Sequence, residues 1–154
     1  MWIETTPPSD CNDSDPLAWP GAAERCNGAD DDCDTVADDG AGPPGPTRGL
    51  GFAADKSGMT WTATPGGTAY DVVKGDLAAL RTSAGDFGSS LAACVENDSP
   101  DPASSDGGAP GPSEGHYYLV RTFGCAQSGT FDEGEASQQG LRDAEIEGSV
   151  NACP

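Results

Sequence analysis

Positive charge is what this chain has least of. Lys and Arg number 7 against 26 Asp and Glu, a formal net charge of −19. Nucleic acid and anionic membrane both need a cationic surface, so neither is expected as a partner. Metal cations, basic proteins and plain solubility remain as reasons for the charge. No run approaches the ~20 apolar residues of a membrane span, and no membrane insertion is expected. Histidine occurs once, at His116. No Ser or Cys motif lies near it to activate, and it reads as a structural or surface residue. Paired carboxylates can be drawn from any chain this acidic, and nothing singles out a pair, so no enzymatic activity is expected. Aromatics make up 6% of the chain. Most are needed for a core, which counts against a broad sugar-binding face. No Cys-x-x-Cys pair occurs, which weakens a zinc or redox reading.

What is there is turn chemistry, cysteine and acid. Twenty-two Gly and 13 Pro argue against a helical protein. Hydrophobic content is 35%, a small core that calls for covalent or metal staples. Six cysteines, an even number, read as disulfides of an extracellular or cell-surface protein. Met1-Trp2-Ile3 is followed by Glu4 and two prolines, without the basic and apolar regions of a signal peptide. A processed form or an excised segment is therefore expected.

The chain divides by composition into a lead-in (1–9), an acidic Cys-rich module (10–40), a Pro/Gly linker (41–47) and a β-rich remainder (48–154). In the remainder, 49–55, 59–64, 69–75, 90–96 and 116–124 read as strands. Residues 128–134 are expected to pair with the last of these as a hairpin. Asp76 reads as the N-cap of a short helix carrying Leu77 and Leu80 on one face. Residues 97–115 read as a long low-complexity loop, mobile or held by a partner. The tail 140–154 offers Leu141, Ile146 and Val150 as apolar points. Short strands without strand–helix alternation predict a mostly β protein, a two-sheet sandwich behind an irregular module.

Asp10 to Asp39 holds ten carboxylates, three cysteines and one basic residue, Arg25. No core buries that much charge unpaired, and oxygen-only ligands suit a hard divalent cation, calcium before others, as one ion or two. Asp30, Asp32 and Asp34 alternate so that three side chains converge when the chain curls round an ion. Val36 offers a carbonyl, and Asp38 or Asp39 closes the shell. The frame is not an EF-hand, since its sixth residue is Thr35 and its twelfth Ala41. Asp10, Asn12, Asp13, Asp15 and Glu24 supply further oxygens. Asn12-Asp13-Ser14 and Asn97-Asp98-Ser99 also match a glycosylation acceptor, weakly.

The order Asp-Cys-Asn-Asp-Ser-Asp-Pro, then Trp-Pro-Gly-Ala-Ala-Glu-Arg-Cys-Asn-Gly-Ala-Asp-Asp-Asp-Cys-Asp, then Asp-Asp resembles the bacterial metal-binding motif of the MopE family across residues 10–39. The resemblance implies a secreted or surface protein with cation-binding loops. That family is named for copper, but this segment has neither the His nor the Met of a copper site. Asn12, Thr35 and Asp39 depart from the family's Asp, Gly and Glu. Residues 48–154 (Trp61-Thr-Ala, the run from Ala69 to Arg81, Tyr117-Tyr-Leu-Val-Arg, and Cys125 and Cys153) resemble a fibronectin type III-like module. That implies Trp61 and one of Tyr117 or Tyr118 in or near the core.

Cys11, Cys26 and Cys33 are odd in number, as are Cys94, Cys125 and Cys153. Either each half keeps a spare thiol or one bridge joins the halves. The expected function is a secreted structural or adhesive protein with a calcium-stabilised module and a cell-surface partner. One variant self-associates into a filament through Trp2-Ile3 and free strand edges. A carbohydrate-binding or substrate-targeting accessory module of a secreted enzyme is the alternative.

Overall fold

The computed structural model describes residues 11–154 except 109, 135, 137 and 139. Trp2, Ile3, Pro7, Pro8 and Asp10 lie outside the described residues, and with them the lead-in and its proposed role in self-association.

Among the described residues, seven strands form two antiparallel sheets. β1 (Arg48–Phe52), β2 (Gly58–Thr62) and β5 (Ala103–Ser105) make one, in the order β1-β2-β5. The other has the order β4-β3-β6-β7, from β3 (Ala69–Asp76), β4 (Leu91–Ser99), β6 (His116–Gly124) and β7 (Gln127–Ser128). Strand alternation points Met59 and Trp61 of β2 at Tyr70 and Val72 of β3 and Val120 of β6, and these five form the core between the sheets. Trp61 and Tyr70 meet edge to face at 5.4 Å. Tyr118 packs on this cluster. Its neighbour Tyr117 points the other way, onto Phe87 and the Ser90 hydroxyl. A mostly β architecture is thus present, as the sequence predicts.

Three short helices lie outside the strands among the described residues: α1 (Leu77–Thr82), α2 (Phe87–Ser90) and α3 (Arg142–Glu147). Asp76 caps α1 by accepting from the Ala79 amide at 2.6 Å, as its position predicts. The tail's apolar points, Leu141, Ile146 and Val150, fare differently. Only Ile146 is buried; Leu141 and Val150 are exposed. Ile146, Phe131, Leu91 and Cys153 meet Val73, on the face of β3 turned away from Trp61. The four-stranded sheet is therefore covered on both faces. Hence β3 carries adjacent buried residues, Tyr70 through Val73. Beneath this cover Arg121 bonds Asp71 at 2.8 Å and Glu147 of α3 at 2.9 Å, with its guanidinium over the Phe131 ring.

Two expectations are corrected. Residues 97–115 are not one loop: β4 runs to Ser99, and Ala103–Ser105 pairs with β2, setting Ser104 opposite Met59. Small side chains hid this strand, because Ala103 and Ser105 are exposed and only Ser104 faces inward. The hairpin after β6 forms, but β7 ends at Ser128 rather than extending to 134. Its turn places Cys125 and Ala126 at φ 49° and 56°, the left-handed pair that suits the strand twist. Beyond it the Phe131 amide donates to Asp143 at 2.7 Å, which draws the chain off the sheet toward α3.

Three disulfides join all six cysteines: Cys11–Cys33, Cys26–Cys125 and Cys94–Cys153. The middle one is the bridge between halves, and no thiol is left over. Residues 41–47 are seated rather than hanging free. Ala41 is buried and its carbonyl accepts from Gln127 at 2.9 Å, while Thr47 shares a hydrogen bond with Thr122.

Candidate metal centre

The acidic module contains no helix or strand among its described residues. Its centre is an ion pair. Asp31 is fully buried, and Arg25 binds it through its backbone amide, Nε and guanidinium terminus. The same guanidinium reaches Asp15 at 2.8 Å, and Asn27 donates to Asp31 at 3.1 Å. These hydrogen bonds, those from Arg25 first, hold the Asp31 and Asp15 carboxyls below their ordinary value and the guanidinium above its own. Arg25 and Asp31 were absent from the expected site. The signal was the lone cation in a run of ten carboxylates, which must find the most buried of them.

Two further carboxylates organise backbone. Glu24 accepts the amides of Asp31 and Asp32, both at 2.7 Å, and of Asp38 at 2.8 Å. Asp38 accepts those of Asn27 and Gly28. The segment 30–36 then curls by successive side-chain turns: Asp30 accepts the Thr35 amide at 2.9 Å, Asp32 that of Asp34 at 3.1 Å, and Asp34 that of Val36 at 2.8 Å. Cys33 and Thr35 take φ of 64° and 84°. The Thr35 value matters because a β-branched residue rarely adopts it.

The curl brings carboxylate oxygens together in two groups. Glu24, Asp30 and Asp32 form one, and Asp32, Asp34 and Asp39 the other, with the atoms of each within 4.8 Å of one another. Asp32 belongs to both. Partial burial raises its pKa, helped by the charges of Asp34, Glu24 and Asp39 and opposed by the Asp34 amide. The residues 30, 32 and 34 are thus divided between two adjoining carboxylate groups, with Glu24 in the first and Asp39 in the second. Asp15 and Asp38 are engaged by Arg25 and by backbone amides. Asn12 accepts the Ser14 amide at 3.2 Å. Asp13 joins neither group, and Val36 lies exposed beside them.

The sequence of this segment has a counterpart among known families. The model of a MopE-type family described as "Putative metal-binding motif" matches residues 10–39, so this segment is similar to that motif. No curated protein and no solved structure matches the chain. The donor set fits a hard cation. It is all oxygen, each group gathers three carboxylates, and each carboxylate keeps lone pairs beyond those its amide hydrogen bonds use.

Proposed function

We propose that the chain is a secreted or cell-surface structural protein, adhesive in character, whose acidic module is set rigid by calcium. Glu24, Asp30 and Asp32 would hold one ion and Asp32, Asp34 and Asp39 a second, each shell completed by water or nearby oxygens. The observation that carries this reading is the sharing of Asp32 between two carboxylate triads on a loop closed by Cys11–Cys33 and fixed to the β-domain by Cys26–Cys125. Like charges this close repel, and a divalent ion reverses the sign of that interaction. Three disulfides with no spare thiol favour an oxidising compartment. The three-plus-four division of the strands supports a fibronectin type III-like reading of residues 48–154.

Calcium titration by calorimetry, with thermal melts in calcium and in EDTA, tests the proposal. Binding restricted to the folded state raises stability by about 2.7 kcal/mol at a hundredfold excess over Kd. A melting curve identical in calcium and EDTA, with no binding heat, would sink it.

A further inference from the structure

One surface cavity shares no residue with the carboxylate triads. Where the β1–β2 turn meets residues 106–108 and the start of β6, the surface forms a half-open cavity of about 280 Å³. Phe52, Asp55, Lys56, Asp106, His116 and Tyr118 line it. One wall is aromatic: Phe52 stands edge to face with Tyr118 at 5.6 Å and leaves 45% of its own surface exposed. A half-exposed phenylalanine in the lining of a cavity can stack against an apolar ring face.

The other wall is polar and already organised. Lys74 binds Asp106 at 2.6 Å, and the Tyr118 hydroxyl donates to the same carboxylate at 3.0 Å. Chiefly through Lys74, the Asp106 carboxyl is held down to about 2. It is a permanent acceptor at any physiological pH. Asp55 is likewise held ionised by the Ser57 amide and hydroxyl. Lys56 projects from the turn at φ 65°. His116 also lines the cavity, and its buried Nδ1 has no hydrogen-bond partner.

The charge balance selects the ligand. Asp55 and Asp106 carry two negative charges, and Lys56 and Lys74 two positive ones. The site has no net demand for an ion, and the surrounding charge of −19 repels anions. What it offers is hydrogen bonding from fixed acceptors and an ammonium donor, beside an aromatic face. A pyranose ring presents the complement, with hydroxyls at its rim and an apolar C–H face.

We propose that this cavity binds a neutral pyranose unit, stacked on Phe52 with its hydroxyls directed at Asp106, Asp55 and Lys56. The site is separate from the cation-binding reading and stands whether or not calcium binds.

The test is amide NMR of the intact oxidised protein titrated with glucose, galactose, mannose and N-acetylglucosamine. Glucuronate and choline serve as charged comparators. At least one neutral sugar is expected to give saturable shifts centred on Phe52, Lys56 and Tyr118, with affinity in the millimolar range (about 1 mM corresponds to −4.1 kcal/mol). Phe52→Ala should weaken that binding about tenfold. Lys56→Gly, which suits the positive φ and cannot disturb a core, should weaken it too and guards against misfolding of the first variant. No saturable shift with any neutral sugar overturns the proposal. So does tighter binding of choline or glucuronate at these residues, or unchanged sugar binding in both variants.

Discussion

Thr35 shows how one residue tunes the acidic loop. It stands where the resembling motif has glycine, and its φ of 84° is one that a β-branched side chain resists. Thr35→Gly should relieve this strain, and after glycine's greater freedom in the unfolded chain is subtracted, a gain of about 0.5–1 kcal/mol remains. Chemical denaturation checks it. Asp32 is the residue on which the two triads depend. Asp32→Asn should lower calcium affinity more than Asp13→Asn, since Asp13 joins neither group. Its raised pKa also sets a pH dependence. Calcium needs the ionised form, so affinity should fall on acidification and begin to do so above the usual carboxylate range. Calorimetry across pH 7 to about 4.5 would show it; an affinity flat over that window contradicts the assignment.

Elements are held here by contacts that their own propensities do not supply. The turn Pro65-Gly66-Gly67 receives the acidic module. A Cβ on Gly66 would lie 2.5 Å from the Cys26 carbonyl carbon, and its φ is 71°. Gly66→Ala should therefore loosen the module as well as strain the turn, costing about 1–3 kcal/mol and reducing the calcium-dependent part of the melting temperature. Helix α3 is only six residues long and would not persist alone. Ile146, 1% exposed, anchors it over the four-stranded sheet. Ile146→Ala should cost about 2–5 kcal/mol, read from denaturant midpoints, whereas the exposed Val150→Ala should cost nothing measurable.

At the scale of the whole molecule, stability is distributed between a small core and its staples. Cys26 and Cys125 are 99 residues apart, the longest closure in the chain. Replacing both by Ser should cost about 2–4 kcal/mol. It should also separate the module's response to calcium from the melting of the sheets, visible as loss of a single cooperative transition. Acid acts on a different staple. The Asp106 pKa is depressed to about 2 by Lys74, so the ion pair contributes fully above the unfolded value near 4. That contribution is lost as pH falls from about 4 to about 2. Melting temperatures through that window should fall more steeply in the wild type than in Asp106→Asn.

Local patterns were legible without a structure. Alternation in 59–64, the apolar residues of 69–75, the Asp76 cap and the acid–cysteine interleaving of 10–39 each arise within a few residues, where spacing decides geometry. Composition and spacing were enough to point to a mostly β protein with an acidic, cysteine-interleaved loop suited to a cation. They could not reveal β5, whose three small residues become a strand only because β2 offers an unpaired edge. Nor could they rank Ile146 above Leu141 and Val150, since burial depends on the facing sheet. That Arg25 would pair with Asp31 and Asp15, and so withdraw them from the carboxylates open to a cation, follows from the folded arrangement. It alone made Asp32 common to two triads and chose which odd cysteine crosses to the β-domain. Ion pairs and disulfides form between groups brought close by the entire fold, and distance in space is not written in distance along the chain.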